Sequence, residues 1–437
     1  MLRQAPVTRR PSARNRSANG YQYREVRMTQ FSPLSFIHAS DLHLDTLISG
    51  LDAVPDKFRD RIIDAPYSAT ERMFETAILE EVDFILLAGD VLDPQAFEPR
   101  AIAFFLEQLQ SLNEHDIAVY WLGGDADAPS RWPDSFQLPQ GVHMFSGTEC
   151  ESITHLRGDE HVCTITGKSC DGRARFRPAD YQPDQTAPFN IGVGYGAADK
   201  ELLSQQNINY WALGGQHQRS SLFTSPRVAH YCGSVQGRNP TEEGAHGCTL
   251  VQVGEDRTIR TREINTDSLR FHNETIPLTR TMARAEFERL FDDRLTAVLS
   301  NAGDQPLLIR FTVEGDGLVA GTVPRTQIIN ELVTRLRNQY GGRRPAAWTV
   351  SIEFAAERSL DTDAFEEDTI LGDFLRTVQA YQADAELDLD ISEYLPDRGL
   401  VGSLAEAVDI TDAPEREAAL RDATSLGFEM LSGGETT

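Results

Sequence analysis

The stretch Phe84-Ile85-Leu86-Leu87-Ala88-Gly89-Asp90-Val91-Leu92-Asp93 decides how the rest of the chain is read. Apolar residues run unbroken from Phe84 to Ala88 and stop at Gly-Asp. A short apolar run without alternation is the pattern of a strand buried on both faces of a sheet. Ligands in open α/β sheets sit beyond the carboxyl ends of such strands, which is where Asp90 falls. One Gly-Asp alone reads as an ordinary strand-to-loop turn. A second stretch of the same form, Phe36-Ile37-His38-Ala39-Ser40-Asp41-Leu42-His43, changes that reading. It also delivers a carboxylate at a strand end, with an imidazole two residues on. Asp-x-His offers one oxygen and one nitrogen donor to the same point, a mixed set that suits Mn, Fe or Zn better than Mg or Ca.

Outward from these two strands, the chain alternates. Pro55 to Leu79 carries apolar positions at helical spacing, with an interruption expected near Pro66. Ala101 to Leu112 reads as an amphipathic helix through Ile102, Phe105, Leu106, Leu109 and Leu112. Ile117 to Leu122 is a third apolar strand, ending in Gly123-Gly124-Asp125-Ala126-Asp127. This β-α-β-α-β order predicts a mainly parallel sheet covered by helices. Short alternating runs from Val142 to Gly167 suggest added strands. Phe189 to Tyr195 and Tyr210 to His217 are two more apolar strands running into glycine-rich turns. A hairpin-like pair is expected over Gly233–Arg238 and Cys248–Val253. Beyond Gly254, a helix (Thr281 to Leu299), a strand (Pro306 to Val313), a helix (Thr326 to Gln339) and a strand (Trp348 to Phe354) predict a small α+β domain. It gathers Arg335, Arg337, Arg343 and Arg344, which could hold DNA phosphates or form a solvated face.

Composition sets the limits. The 437 residues allow two or three domains, and 40% hydrophobic with 25% charged residues is ordinary for a globular protein. No stretch reaches the length of a membrane span. Five cysteines, an odd number with no C-x-x-C pair, argue against a disulfide framework and a zinc ribbon, and place the chain in a reducing, cytoplasmic setting. The net charge of −26 is concentrated at one end: Glu353 to Thr437 holds 22 acidic against 5 basic residues. That surface repels nucleic acid, so any DNA contact must lie elsewhere. Residues 1–27 carry Arg3, Arg9, Arg10, Arg14, Arg16 and Arg24 among Pro, Ser and Asn, and read as disordered. They are either a basic arm or a segment upstream of a true start at Met28, and the nearby first strand favours the second. The expected domains are a disordered basic segment (1–30), an α/β domain (31–255), the small α+β domain (256–356) and an acidic helical region (357–437).

Taken in order, Asp41-x-His43, Gly89-Asp90-x-x-Asp93, Tyr210-Trp211-Ala212-Leu213-Gly214-x-x-His217 and Gly233-Ser234-x-Gln236-Gly237-Arg238 resemble the calcineurin-like metallophosphoesterases. With Glu242-Glu243-Gly244 and Gly247-Cys248, the chain resembles their DNA repair exonuclease branch (the SbcD/YhaO type), nuclease subunits that pair with an SMC-like coiled-coil ATPase. The resemblance implies a metallophosphoesterase β-sandwich flanked by helices, followed by a capping domain, and a two-metal, usually Mn-dependent, phosphodiesterase centre. It assigns the first metal to Asp41, His43, Asp90 and His217, all present. The second metal would share Asp90 and use positions that here hold Asp125, Tyr195 and Gly215, while the proton-donor position holds Ala126.

The departures fall together: every unshared ligand of the second metal and the proton donor are changed, and every ligand of the first is kept. A phenol is a poor ligand near neutral pH, and glycine offers none, so Asp125 is at most a weak second-site ligand. His115, His230 and His246 are spare imidazoles away from the expected ligand positions. Two expectations follow. One is a subunit with one metal per chain (Mn, or Fe or Zn) and little or no catalysis, docked on the ATPase, with a two-fold dimer as the arrangement that fits the family. The other is an active Mn-dependent DNA exonuclease that tolerates the losses.

Overall fold

The structure is a computed structural model that describes residues 31–51, 54, 56–96, 98–133, 136–170, 176–315, 319–320, 323, 325–355 and 369–383, with a few positions between 416 and 431. The basic segment before residue 31 and most of the acidic region after 356 lie outside the described residues, with the expectations attached to them.

Two six-stranded sheets face each other. In the first, β1 (Leu34–Ala39), β2 (Phe84–Ala88), β3 (Ala118–Leu122) and β4 (Val142–Met144) pair in parallel. β11 (Gly247–Val253) runs antiparallel to β1, and β12 (Ile259–Asn265) closes that edge. The second sheet has β5 (Glu151–Arg157), β6 (Glu160–Gly167), β7 (Asn190–Tyr195), β8 (Tyr210–Gly214), β9 (Ser220–Phe223) and β10 (Val228–Tyr231), in the order β5-β6-β7-β8-β10-β9, with the short helix α3 (Lys200–Gln205) between β7 and β8.

The period of two along each strand explains the layers. Phe36, Phe84, Leu86, Ala88 and Leu122 point between the sheets, against Ile165, Ile191, Val193 and Ala212. Ile37, Ala39, Ile85, Leu87, Val119 and Trp121 point the other way, against the helices α1 (Asp56–Leu79) and α2 (Pro99–Glu114). β2 is therefore buried on both faces, as its unbroken apolar run implies. Burial of Phe84, Ile85, Leu86 and Leu87 contributes about 1.5–3 kcal/mol each.

Two expectations are corrected. α1 is not interrupted near Pro66; the helix continues with the proline inside it. Proline removes one backbone bond, but Phe58, Ile62, Ala65, Ala69, Met73 and Ala77 are buried along that helix, and packing outweighs local propensity. Gly233–Arg238 and Cys248–Val253 do not form a hairpin. The first is a loop that touches the sheet through a single bridge, Ser234 to Ser40, and the second lies in β11, whose hairpin partner is β12.

After β12 a smaller unit begins. β13 (Arg270–Pro277), β15 (Leu307–Glu314) and β17 (Ala347–Phe354) form an all-parallel sheet, connected through α4 (Arg284–Asn301) and α5 (Arg325–Tyr340). A short pair, β14 (Met282–Ala283) with β16 (Val319–Ala320), lies beside them. The leading strand β13 and the short β14 and β16 are elements of this unit that the sequence pattern does not reveal. Phe58, Ile62 and Ala65 of α1 share a buried cluster with Leu269, Phe271, Leu308, Trp348 and Val350, which joins the two units. Gln236 ties the connection from the other side: its Oε1 accepts from Ser268 N at 2.8 Å and its Nε2 donates to Leu269 O at 2.6 Å. α6 (Ile370–Ala383) is the described helix of the acidic region. Among the described residues, no helix is long and apolar enough to cross a membrane, and none of the five cysteines is in a disulfide.

Candidate metal centre

The loops that leave β1 and β2 are bound to each other through backbone. Asp41 N–H donates to Gly89 O at 2.9 Å, His43 N–H to Asp90 O at 3.0 Å and Leu44 N–H to Val91 O at 3.0 Å. This pairing holds Asp41, His43 and Asp90 at φ values of 53°, 44° and 53°, in the left-handed region. Each such residue costs on the order of 1–3 kcal/mol, and such strain clusters at functional sites. The other non-glycine residues with positive φ, Glu81, Asp116 and Arg257, lie in ordinary turns and loops.

Asp41, His43 and His217 come together, each offering one donor atom within 4.8 Å of the others. His43 Nε2 is 3.3 Å from His217 Nε2, and His217 Nε2 is 3.9 Å from Asp41 Oδ1. Asp90 Oδ2 lies 3.8 Å from His43 Nε2. Donors separated by about 3–4 Å suit ligands that each lie ~2 Å from a common ion. The orientation of the set is built in. His217 Nδ1 is 2.8 Å from Glu242 Oε1, which assigns the ring proton to Nδ1 and leaves the Nε2 lone pair facing His43 and Asp41. Asp41 Oδ2 accepts from Ser40 Oγ at 2.6 Å and from Gly215 N–H at 3.0 Å, while Asp41 Oδ1 is buried without a hydrogen-bond partner. A buried carboxylate oxygen with no hydrogen-bond partner, beside two imidazoles, is a donor set that fits a cation.

The electrostatics agree. Burial raises the Asp41 carboxyl to about 6 against the bonds from Ser40 and Gly215. Burial, then the charge of Arg238, lowers His43 to about 3, so its ring is neutral and able to ligate. The Glu242 bond raises His217. A divalent ion would compensate the buried carboxylate and favour the deprotonated donors.

The other side of Asp90 is packed by protein. The Tyr195 hydroxyl donates to Asp90 Oδ2 at 2.6 Å, and Ala126 N–H donates to Asp90 Oδ1 at 2.8 Å, so both oxygens of Asp90 are engaged. The Tyr195 ring lies over three glycines. A Cβ on Gly124 would be 2.7 Å from the ring, one on Gly215 would be 3.2 Å away, and one on Gly89 would overlap it outright. Burial raises the Tyr195 phenol far above its ordinary value, with the Asp90 charge adding to the effect, so the ring keeps its proton. Asp125 is exposed and accepts from Cys170 Sγ at 2.9 Å.

Three supporting residues are invisible to motif spacing. Asp127 is fully buried: its Oδ1 accepts from Asp90 N and Gly124 N, and its Oδ2 from Val91 N and Trp121 Nε1. Burial, then the Asp90 charge, raises it to about 7. Ser40 and Glu242 act as described above; the acidic pattern at Glu242-Glu243 was the available signal, 25 positions from the histidine it orients. Asp93 turns away and pairs with Arg131 at 2.6 Å. His230 bonds Ser221 and Thr249, His246 bonds Ser234, and His115 bonds its own helix at Ser111. Arg335 pairs with Asp292 and Glu288, Arg337 donates to the carbonyls of Thr349 and Val350, and Arg343 lies over the Tyr340 ring, with Arg344 exposed next to it.

Part of the chain is similar to known proteins. Residues 34–219 match the family described as calcineurin-like phosphoesterase. An uncharacterized metallophosphoesterase, YhaO of Bacillus subtilis (strain 168), is 32% identical over 234 residues, covering 50% of this chain and 57% of its own. The DNA double-strand break repair protein Mre11 of Thermoplasma acidophilum is 24% identical over 230 residues, covering 47% and 57%. The chain thus spans a little over half the length of these curated relatives. A dimetal phosphatase from Danio rerio overlaps 53% of this chain and 96% of its own at 9% identity, with a TM-score of 0.32. Residues 34–219 are a calcineurin-like metallophosphoesterase domain, similar to one relative named as a metallophosphoesterase and to another named for DNA double-strand break repair.

Proposed function

We propose that this chain is a phosphoesterase-fold subunit with a single divalent metal and little or no phosphodiesterase turnover, serving a DNA-repair assembly as a scaffold. The observation that carries this reading is the Tyr195 ring, seated on Gly89, Gly124 and Gly215 with its hydroxyl on Asp90. Asp41, His43 and His217, with Asp90 beside them, would hold one ion, with Mn, Fe or Zn suited to the mixed donors. Such an ion supplies Lewis-acid polarisation of a phosphoryl oxygen. The residues around it supply little else. Ala126 cannot protonate a leaving group, a role worth about 10²–10⁴ in rate. Gly215 has no donor, and Tyr195 occupies the space with a proton rather than a lone pair directed at Asp90.

The partner that fits the resemblance is an SMC-like coiled-coil ATPase, with DNA reached through the assembly and a two-fold dimer as the arrangement of the chain. Cysteines outside disulfides fit a cytoplasmic setting. The experiment is a metal count on purified protein dialysed with Mn²⁺, with nuclease activity measured on the same sample. About one metal per chain and no cleavage above a His43→Ala control are expected. Two metals, with cleavage abolished by Asp90→Ala, would overturn the reading and favour an active Mn-dependent exonuclease.

A further inference from the structure

Arginines that reach into this protein find partners. Arg219 donates to the carbonyls of Cys232 and Cys248 and pairs with Glu263. Arg131 and Arg335 each have a buried Nε without a hydrogen bond, but an acid lies within 4 Å of each guanidinium. Arg238 differs. Its Nε is buried and unpartnered, and among the described residues its side chain makes no hydrogen bond and no ion pair. A buried charged donor left unsatisfied is costly, so its position calls for a ligand.

That position is fixed at the candidate centre. Arg238 N–H donates to Glu242 Oε2 at 2.9 Å, while Glu242 Oε1 holds His217 Nδ1 at 2.8 Å. One carboxylate therefore sets both the arginine and a candidate metal ligand. Arg238 O accepts from Ser49 N–H at 2.8 Å, which fixes the loop from the other side. Arg238 therefore lies one carboxylate away from His217, a member of the donor set. A fixed cation next to donors that themselves suit a cation is a repulsive arrangement until an anion lies between the two. Guanidinium matches phosphate in shape, charge and paired donors.

We propose that Arg238 is the anion-binding residue of this centre: its guanidinium takes an oxygen of a phosphate group seated beside Asp41, His43 and His217. This rests on the one-metal reading above. Arg238 contributes part of the positive field that the half closed by Tyr195 no longer supplies, and it makes the centre a phosphate reader even where it does not turn over.

The test uses the full chain with one equivalent of Mn²⁺, titrated with inorganic phosphate and, separately, with the dinucleotide dTpdT as a phosphodiester. Paramagnetic broadening of the ³¹P resonance reports phosphorus near the ion, and free Mn²⁺ is followed by electron paramagnetic resonance. Arg238→Gln is expected to weaken at least one probe about tenfold or more while Mn²⁺ affinity stays within about twofold. Retained Mn²⁺ binding shows that the site is folded. If Arg238→Gln loses the fold, Arg238→Lys, which keeps the charge without the paired donors, carries the test with an expected loss of about threefold. Equal binding of both probes by wild type and variant, or binding of neither while Mn²⁺ is held, overturns the proposal and leaves the one-metal reading in place. Wild-type protein that takes up no Mn²⁺ overturns both.

Discussion

The two halves of the centre share Asp90 and the same strand ends, yet they are built in opposite ways. On one side, Asp41, His43 and His217 are aligned by Ser40, Gly215 and Glu242 and leave a buried oxygen unsatisfied. On the other, Tyr195 satisfies Asp90 and fills the space above three glycines. The open side directs its donors to one point; the closed side directs a hydroxyl at Asp90 and packs a ring over the glycines. The small residues at 89, 124 and 215 and the ring at 195 are thus one packing solution. A cavity at a buried carboxylate is costly, and a ring with a hydroxyl at the right height closes it.

This contrast can be broken at the open side first. Asp41→Ala is expected to weaken Mn²⁺ binding by 10²-fold or more, read by titration calorimetry, because it removes a buried ligand; a loss under about threefold would show that the ion sits elsewhere. Glu242→Gln is next, with a loss of about 10–100-fold, since it only misorients His217. At the closed side, Gly124→Ala puts a methyl 2.5 Å from Asp90 Oδ1 and 2.7 Å from the Tyr195 ring. It is expected to cost about 1–3 kcal/mol in urea unfolding, and Tyr195→Ala in the same chain should recover part of that. Strict additivity of the two changes would mean that ring and glycine are not coupled.

The smallest effect is a pH dependence away from the centre, which sharpens the comparison by separating core histidines from ligand histidines. Burial, then Arg219, lowers His230 to about 4, and burial places His38 well below its ordinary value. Both are neutral in the folded protein and take up protons when unfolded below about 6.5. Stability is therefore full above about pH 6.5, falls as pH drops, and for His230 levels off near 4. His230→Gln should flatten that fall by about 1.4 kcal/mol per pH unit. An unchanged slope in urea titrations at pH 7.5, 6.5 and 5.5 would remove His230 from the account.

Strand-level patterning was legible because burial on one or two faces writes itself into residues two apart. Phe84–Ala88, Ala118–Leu122 and Tyr210–Gly214 are strands, and Asp41, His43, Asp90 and His217 do lie at the ends of the strands or in the loops that leave them. Pro66 misled because propensity is local and the apolar face of α1 is not. β13 was missed because its run, Arg270-Phe-His-Asn-Glu-Thr-Ile-Pro277, is mostly polar and becomes a strand by pairing with β15.

By itself, then, the order of residues determined the layered α/β architecture, the candidate ligands and the substitutions at 125, 126, 195 and 215. Periodicity and motif order are properties of the chain. Only the tertiary structure decided what those substitutions do together. That Tyr195 lies on Gly89, Gly124 and Gly215, that Glu242 holds both His217 and Arg238, and that the Arg238 side chain has no ion pair among the described residues are relations between residues up to 106 positions apart. Side-chain contact across loops depends on distance in space, and spacing along the chain carries no record of it.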